Sequence, residues 1–266
     1  MNDPRRRIRA RTLFLSDIHL GFPRARVREL ARFLARVEAQ SIVLAGDIVD
    51  ALSLARRPFW NAEHGEVVRI LLARRRAGTR LIYLPGNHDA SLSLLAEMLQ
   101  GQIEVHREWV HRTARGERIL VLHGDRFDGQ MPCARWLARV GDALYETTVA
   151  VSHHLNNLRD ALGRPYLPMV ERLKLTLAPS ARYIGAFEQI AARHAREQGY
   201  DGVLCGHIHR ANLCRIEGTL YCNSGDWVES CSAVMESPSG ELKLLRGPEA
   251  VPTARSRVRE PLPEAA

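Results

Sequence analysis

The chain lacks any hydrophobic run long enough to cross a membrane. Across its 266 residues, no stretch approaches the roughly 18 uninterrupted apolar residues that a membrane-spanning helix needs. The N-terminal sequence MNDPRRRIRART leads directly into an apolar strand and lacks the hydrophobic core of a secretory signal. We therefore expect neither an integral membrane protein nor a secreted one.

Cysteine is scarce, and its spacing is uninformative for metal or redox chemistry. The five cysteines include no C-x-x-C pair, and an odd number favours free thiols over a disulfide framework. Free thiols are typical of a reducing compartment, so we expect a cytoplasmic protein.

Lysine is almost absent, although the chain is basic. The net charge of +8 suggests an anionic partner, but only Lys174 and Lys243 among the 38 basic residues are lysine. Such a ratio fits a coding bias better than a selected nucleic-acid surface. We expect no nucleic-acid partner.

Short apolar runs alternate with helix-like segments along the first part of the chain. Residues 24–38 carry apolar side chains at helical spacing and arginines on the other face, which predicts an amphipathic helix. A second helix is predicted over 66–77, ending at Gly78. Buried strands are predicted at 13–15, 42–45, 81–84, 119–122 and 202–205. The alternation indicates a layered α/β fold with largely parallel central strands.

Two later regions depart from this alternation. Residues 131–198 show no strand signal and predict several helices, inserted between the fourth and fifth strands. After His209, short antiparallel strands are predicted at 211–216, 219–223, 232–235 and 242–245. We therefore expect a basic tail over 1–11, one folded domain over 12–247 and a disordered tail over 248–266, where proline, arginine and glutamate replace any apolar period.

A polar cluster follows each of the five predicted strands. The clusters read D-I-H, G-D, G-N-H-D, H-G-D and G-H-I-H, beginning at Asp17, Gly46, Gly86, His123 and Gly206. Loops at the carboxyl ends of strands gather at one edge of an open α/β sheet. We expect these segments to bring metal-ligating side chains together along one edge.

These clusters contain two carboxylates, one amide and four imidazoles suited to metal binding: Asp17, His19, Asp47, Asn87, His123, His207 and His209. Seven ligands are too many for one ion that must also accept substrate, but they suit two ions sharing a bridging carboxylate. Two divalent ions about 3.5–4 Å apart bind a phosphoryl group and activate water for in-line attack. Since two carboxylates cancel only half of the four positive charges, the site favours hydrolysis of an anionic phosphoester.

The five motifs, in this order over residues 13–209, resemble the calcineurin-like metallophosphoesterases. The resemblance implies an αββα sandwich of two mixed sheets, with the helical insertion as a lid. The implied ligands are Asp17, His19 and His209 for one metal and Asn87, His123 and His207 for the other, with Asp47 bridging. His88 would protonate the leaving group or stabilise the transition state, oriented by Asp89. Asp50, Asp125 and Asp226 are candidates for hydrogen bonds to ligand histidines.

The insertion and the segment N-S-G-D-W at 223–227 are similar to the UDP-2,3-diacylglucosamine pyrophosphohydrolases of lipid A biosynthesis. The resemblance implies a nucleotide-linked glycolipid substrate, hydrolysed to UMP and a lipid 1-phosphate. It also implies two divalent cations, Mn²⁺ before Zn²⁺, iron or Mg²⁺, and a cytoplasmic protein in peripheral contact with the anionic inner membrane. Many of those enzymes carry arginine where this chain has His88, which is the pattern of the wider superfamily.

Two alternatives remain at this point. A nuclease, a cyclic-nucleotide phosphodiesterase or a general phosphodiesterase would use the same metal centre on water-soluble diesters, with a helical segment too closed for acyl chains. A nucleic-acid-binding protein without catalysis would account for the arginines and would bind with steep salt dependence. That second alternative leaves the metal-ligand set unexplained.

Overall fold

The computed structural model describes residues 7–89, 103–131, 178–247, 251–252 and, between these ranges, 151, 155, 156, 158, 159 and 162. The helices are α1 (Val27–Arg36), α2 (Ala51–Arg56), α3 (Ala62–Arg76) and α4 (Ala178–Glu197), with a 3-10 helix η1 at Asp125–Gln130. The first six strands are β1 (Ile8–Leu15), β2 (Val37–Ala45), β3 (Arg80–Leu84), β4 (Glu104–Val105), β5 (Trp109–Arg112) and β6 (Arg118–Val121). The others are β7 (Gly202–Cys205), β8 (Asn212–Ile216), β9 (Thr219–Asn223), β10 (Ser232–Glu236), β11 (Leu242–Arg246) and β12 (Val251–Pro252).

The strands form two mixed sheets. The first has the order β12-β11-β10-β1-β2-β3-β4, in which β1 to β4 are parallel and β10 to β12 are antiparallel. The second has the order β5-β6-β7-β9-β8, with β6, β7 and β9 parallel and an antiparallel strand at each edge. The predicted α/β fold with two sheets is confirmed.

Alternation along β1 explains how the layers stack. Leu13 and Leu15 pack with buried side chains of α1 and α3, whereas Phe14, between them, belongs to the cluster shared with the second sheet. Successive side chains of a strand point to opposite faces, so one apolar run serves two cores. Phe187 of α4 packs with Leu120 and Val203 on the far face of the second sheet. Helices therefore cover the outer face of each sheet.

Helix α1 follows the predicted apolar stripe but is shorter than the predicted range. Its inward side chains Val27, Leu30, Phe33 and Leu34 are buried at helical spacing. Val37, predicted to continue the stripe, has extended backbone angles and begins β2. The helix ends there because the chain enters the parallel pairing with β1.

The structure corrects the expectation of a single sheet edge. Strands β1, β2 and β3 lie in the first sheet, whereas β6 and β7 pair with each other in the second. The motif loops are therefore contributed by both sheets. The apolar runs of all five strands are alike, since each is buried on both faces, so their pattern does not indicate which sheet a strand joins.

Several predicted segments lie wholly or largely outside the described residues. Of the insertion at 131–198, the described part is α4 with a few residues before it; residues 1–6 of the basic tail and most of 248–266 are not described. Val251–Pro252, within the segment predicted to be disordered, pairs with β11 as a two-residue strand. Cys205, Cys222 and Cys231 are buried free thiols, as predicted for these positions. In the described part of the chain, no helix has both the length and the apolar character that crossing a membrane requires.

Candidate metal centre

The motif loops meet at one edge of the sandwich, where strands of the two sheets end together. Within the first sheet, the main-chain N–H of Asp17 donates to the carbonyl of Gly46 at 3.0 Å. Across the sheets, the main-chain N–H of His207 donates to the Asp17 carboxylate, 3.0 Å from Oδ2 and 3.2 Å from Oδ1. The loops after β1 and β2 are therefore joined through their backbones, and the loop after β7 is joined to them through the side chain of Asp17.

The backbone at this edge is held in an uncommon conformation. Seven non-glycine residues of the described chain have positive φ, and five of them are predicted metal ligands: Asp17, His19, Asp47, His207 and His209. A left-handed conformation costs free energy for residues with a Cβ, and such strain is concentrated at functional sites. The surrounding hydrogen bonds retain it here.

Five predicted ligands and His88 form three overlapping groups, and within each group the donor atoms lie within 4.8 Å of one another. The groups are Asp17 with His19 and His209, Asp17 with Asp47 and His123, and His19 with Asp47 and His88. His209 Nε2 is 3.2 Å from Asp17 Oδ1, and His123 Nε2 is 3.3 Å from Asp47 Oδ2. Because Asp17 and Asp47 each belong to two groups, the groups form one continuous cluster.

Asn87 and His207 adjoin this cluster beside His123. Asn87 Oδ1 is 3.2 Å from His123 Nε2, and the rings of His123 and His207 are 5.2 Å apart between centroids. The structure therefore brings all seven predicted ligands to one locality, with His88 at the same place.

Two glycines make this approach possible. A Cβ at Gly86 would lie 2.2 Å from Asp47 Oδ1, and a Cβ at Gly206 would lie 2.2 Å from Asp17 Oδ2. Both contacts are shorter than atoms allow, so only glycine lets the backbone pass beside these carboxylates.

Burial and close ion pairing act in opposite directions on the pKa values. Burial works to raise the pKa of Asp17, but His209, His123 and His19 outweigh it and hold that pKa well below its usual range. Burial likewise works to lower the pKa of His123, but the hydrogen bond to Asp47 and the charge of Asp17 raise it to about 10. Protons and metal ions compete for the same lone pairs, so a cation bound here would displace these protons.

Asp50 connects a predicted ligand to the predicted catalytic histidine. Its buried carboxylate lies 3.1 Å from His19 Nδ1 through Oδ2 and 3.0 Å from His88 Nδ1 through Oδ1. Oδ1 also accepts from the N–H of Ser53 at 2.8 Å, which caps α2. The hydrogen bond to Asp50 raises the pKa of His88 above its usual value. The prediction of a contact between Asp50 and a ligand histidine is confirmed.

Asp89 was predicted to orient His88, but its carboxylate bonds to main-chain N–H groups. Its fully buried carboxylate accepts from the N–H of Gly86 at 2.6 Å, of Ile48 at 2.7 Å and of Asp47 at 3.3 Å. Asp89 therefore joins the loops after β2 and β3, and Asp50 takes the place beside His88. The distinction depends on how the two loops pack, which adjacency in sequence does not reveal.

Asp226 was predicted as a partner of a ligand histidine, but its carboxylate accepts from the N–H of Val228 at 2.8 Å within its own turn.

Asp125 was also predicted as such a partner, and it is the first residue of η1. In this helix it is Asp128 that contacts a predicted ligand. Asp128 Oδ1 and Oδ2 lie 2.9 and 3.0 Å from His207 Nε2, and Tyr183 Oη donates to Oδ1 at 3.1 Å. Sequence reasoning missed Asp128; the signal was a second acid five residues after His123.

The family model described as calcineurin-like phosphoesterase matches residues 10–211. The chain belongs to this family. It is a metal-dependent phosphoester hydrolase, and the described donor groups are candidate metal-binding residues of that activity. The matched residues include every motif loop described above.

Several solved structures are similar to the chain. Yfce, a phosphoesterase from E. coli, is 16% identical with a TM-score of 0.48, covering 91% of this chain and 96% of that one. A mutant Vps29 from Entamoeba histolytica is 12% identical with a TM-score of 0.45, covering 88% and 90%. An archaeal phosphodiesterase is 11% identical with a TM-score of 0.43, covering 88% and 98%. Among curated proteins no sequence matches the chain.

Proposed function

We propose that this enzyme hydrolyses the pyrophosphate of UDP-2,3-diacylglucosamine, or of a similar nucleotide-linked lipid, to UMP and a lipid 1-phosphate, using two divalent cations. The observation that carries the hydrolase part is the sharing of Asp17 and Asp47 between overlapping donor groups. Carboxylates shared between groups that hold different imidazoles, such as His209 in one and His123 in another, suit two cations that bind side by side.

The residues fit a pair of cations. The donors combine carboxylate, imidazole and amide, a mixture that suits Mn²⁺, Zn²⁺ or iron. Burial works to raise the pKa of Asp47, but the hydrogen bond and charge of His123 outweigh it and lower that pKa. The negative charge of Asp17, also buried, works against this lowering by repulsion between the two carboxylates. Two divalent cations would offset this repulsion. We assign Asp17, His19 and His209 to one cation and Asn87, His123 and His207 to the other, with Asp47 shared and Mn²⁺ as the preferred ion.

When bound, the cations supply positive charge for the phosphoryl oxygens and lower the pKa of the attacking water. His88 acts on the leaving group. Since Asp50 accepts the Nδ1 proton of His88, Nε2 is the ring nitrogen that can donate a proton to the leaving oxygen. The same hydrogen bond favours the protonated ring, because it raises the pKa of His88.

Exposed apolar side chains in the insertion support a lipid substrate and peripheral contact with an anionic membrane. Leu155, Leu158 and Leu162 are 41%, 59% and 64% exposed. Their i, i+3, i+7 spacing is that of one face of a helix. An exposed face of leucines can bind acyl chains or a lipid surface.

The test compares an acylated and a small substrate on the same Mn²⁺-reconstituted protein. UMP release from UDP-2,3-diacylglucosamine and p-nitrophenolate release from bis(p-nitrophenyl) phosphate are measured for the wild type, Asp47→Ala and the pair Leu158→Ser with Leu162→Ser. Leu52→Ser, an exposed leucine outside the insertion, is the matched control.

We expect the wild type to have a higher kcat/KM for the acylated substrate than for the small diester. The variant with both Leu158→Ser and Leu162→Ser should have a lower kcat/KM for the acylated substrate alone. Asp47→Ala should lose bound Mn²⁺. Both activities should fall by about 10³-fold or more, since several kcal/mol of electrostatic stabilisation of the transition state are lost with the cations. Hydrolysis of the small diester without UMP release would indicate a general phosphodiesterase or nuclease. Hydrolysis of neither, or an active Asp47→Ala, would contradict the metal assignment.

A further inference from the structure

His207 contacts oxygens of the protein through a different ring nitrogen from two other predicted ligands. His19 and His123 each place Nδ1 on an oxygen of the protein, Asp50 Oδ2 at 3.1 Å and the carbonyl of Ala45 at 3.1 Å. Their Nε2 atoms point into the donor cluster, where they meet His209 and Asp47. In His207 it is Nε2 that is engaged, by both oxygens of Asp128. Nδ1 is therefore the nitrogen of His207 left for a cation.

The contact between Asp128 and His207 is supported from a second element. Tyr183, on α4, donates its hydroxyl to Asp128 Oδ1 at 3.1 Å. One turn further along α4, Phe187 packs edge-on against the buried Phe127 of η1, with 5.8 Å between ring centroids. Residues four apart lie on the same face of a helix, so one face of α4 holds both η1 and its carboxylate.

We propose that Asp128, held in place by Tyr183, is a positioning residue that fixes the tautomer and ring orientation of His207. By accepting the Nε2 proton, the carboxylate leaves the Nδ1 lone pair available and increases its basicity. Partners of this kind are worth about 10–100-fold in metal affinity. This inference rests on the proposed function, because it requires His207 to bind a metal ion.

The principal test is a calorimetric titration of the metal-free protein with Mn²⁺. The variants are Asp128→Ala, Asp128→Asn and Tyr183→Phe, and the matched control is Glu197→Gln, which removes an exposed carboxylate from α4. The wild type should bind two equivalents of Mn²⁺. Asp128→Ala should weaken one of them by about 10–100-fold and spare the other. Tyr183→Phe should lower the affinity for that same Mn²⁺ by about 5-fold, which corresponds to the loss of one hydrogen bond. The control should leave the affinity for both Mn²⁺ ions unchanged.

A second measurement separates positioning from direct ligation. In metal-free protein with ¹⁵N-labelled histidine, the ring of His207 should carry its proton on Nε2 in the wild type. In Asp128→Ala it should become a mixture of tautomers. Asp128→Asn, which retains the shape of the side chain, provides the same comparison if the alanine variant has a lower thermal midpoint.

The outcomes distinguish this inference from the proposed function. A wild type that binds no Mn²⁺ would overturn both. Two intact Mn²⁺ sites in Asp128→Ala and Asp128→Asn would overturn the positioning role alone. A weakened site with an unchanged tautomer would also overturn it, because Asp128 would then be a ligand itself.

Discussion

Each buried carboxylate of the metal centre serves more than one partner. Asp17 contacts His209 and the N–H of His207, and Asp47 contacts His123 and accepts from the N–H of His88 at 2.8 Å. Asp50 divides its two oxygens between His19 and His88. A substitution at one carboxylate is therefore expected to disturb several side chains, whereas a substitution at His88 removes one terminal member of the network.

His88→Ala should lower kcat by about 10²–10⁴-fold, the usual cost of losing a general acid, while two equivalents of Mn²⁺ remain bound. The measurement is kcat on bis(p-nitrophenyl) phosphate together with metal content. His106→Ala, an exposed histidine beside Glu104, is the matched control and should keep full activity. His88 also belongs to a donor group with His19 and Asp47. If bound Mn²⁺ falls in parallel with kcat, His88 is a ligand and not the acid.

The candidate donor residues were recognisable from sequence, but of their partners only Asp50, beside His19, was predicted. Aspartate, asparagine and histidine directly after apolar strands are chemically distinctive, and strand ends meet at an edge. Asp50 and Asp89 are both acids near the motifs, yet their carboxylates turn to different loops. Which acid meets which ring depends on side-chain direction after packing.

The loops of the centre are joined by hydrogen bonds to buried side chains as well as by strand ends. Asp89 follows β3 and accepts from main-chain N–H groups in the loop after β2. Tyr83, at the end of β3, also bonds to this carboxylate. The position of Asp47 therefore depends on Asp89, which accepts from its main-chain N–H and is not itself a predicted ligand.

Asp89→Ala should lower the free energy of unfolding by about 3 kcal/mol or more, since several buried N–H groups lose their acceptor. Asp89→Asn retains one acceptor oxygen and should cost less. Urea unfolding measures both. The control is Asp201→Asn, where an exposed carboxylate accepts from the N–H of Arg118 at 2.7 Å, and a loss below about 1 kcal/mol is expected. Equal losses at the two positions would contradict the joining role of Asp89.

Elements marked by a run of buried apolar residues were predictable, and elements without such a run were not. The strands Gly202–Cys205 and Thr219–Asn223 have the predicted bounds. Helix α2 was missed because its six residues include none that is buried, so no apolar period marks it. The two-residue β4 exists only through its pairing with β3. Such elements are stabilised by their neighbours and not by their own sequence.

Away from the metal centre, a buried glutamate joins the two sheets. Glu236, on β10, contacts Arg11 of β1 at 2.9 Å and His111 Nε2 of β5 at 2.8 Å. It also accepts from the N–H of Ala114 at 2.7 Å. The first sheet thus supplies the carboxylate and an arginine, and the second supplies an imidazole and a main-chain donor.

This contact predicts a loss of stability in acid. Burial works to raise the pKa of Glu236, but its hydrogen bonds outweigh that effect and lower the pKa below the ordinary 4.5. Burial lowers the pKa of His111 below the ordinary 6.5. The unfolded chain therefore binds more protons at both groups, so stability falls as pH decreases below about 6.5 and again below about 4.5.

Glu236→Gln tests the glutamate part. Near neutral pH the variant should be less stable by about 3 kcal/mol, because a buried carboxylate with charged and polar partners is lost. As pH falls through the lowered pKa of Glu236, the wild type loses the stability that the ionised carboxylate contributes. The difference in stability between wild type and variant should therefore decrease. Thermal unfolding of the metal-free proteins from about pH 7 to about pH 2, which spans the lowered pKa of Glu236, provides the measurement. A difference that stays constant over this range would contradict the prediction.

The amino-acid sequence alone specified the donor residues, their order and the apolar strands that precede them, because these depend on residue type and on neighbours along the chain. The division of the strands between two sheets, the pairing of Asp50 with His88 and the contact of Asp128 with His207 required the folded chain. Each joins residues far apart in sequence, and the hydrogen bonds that select the partners exist only after the sheets have packed together.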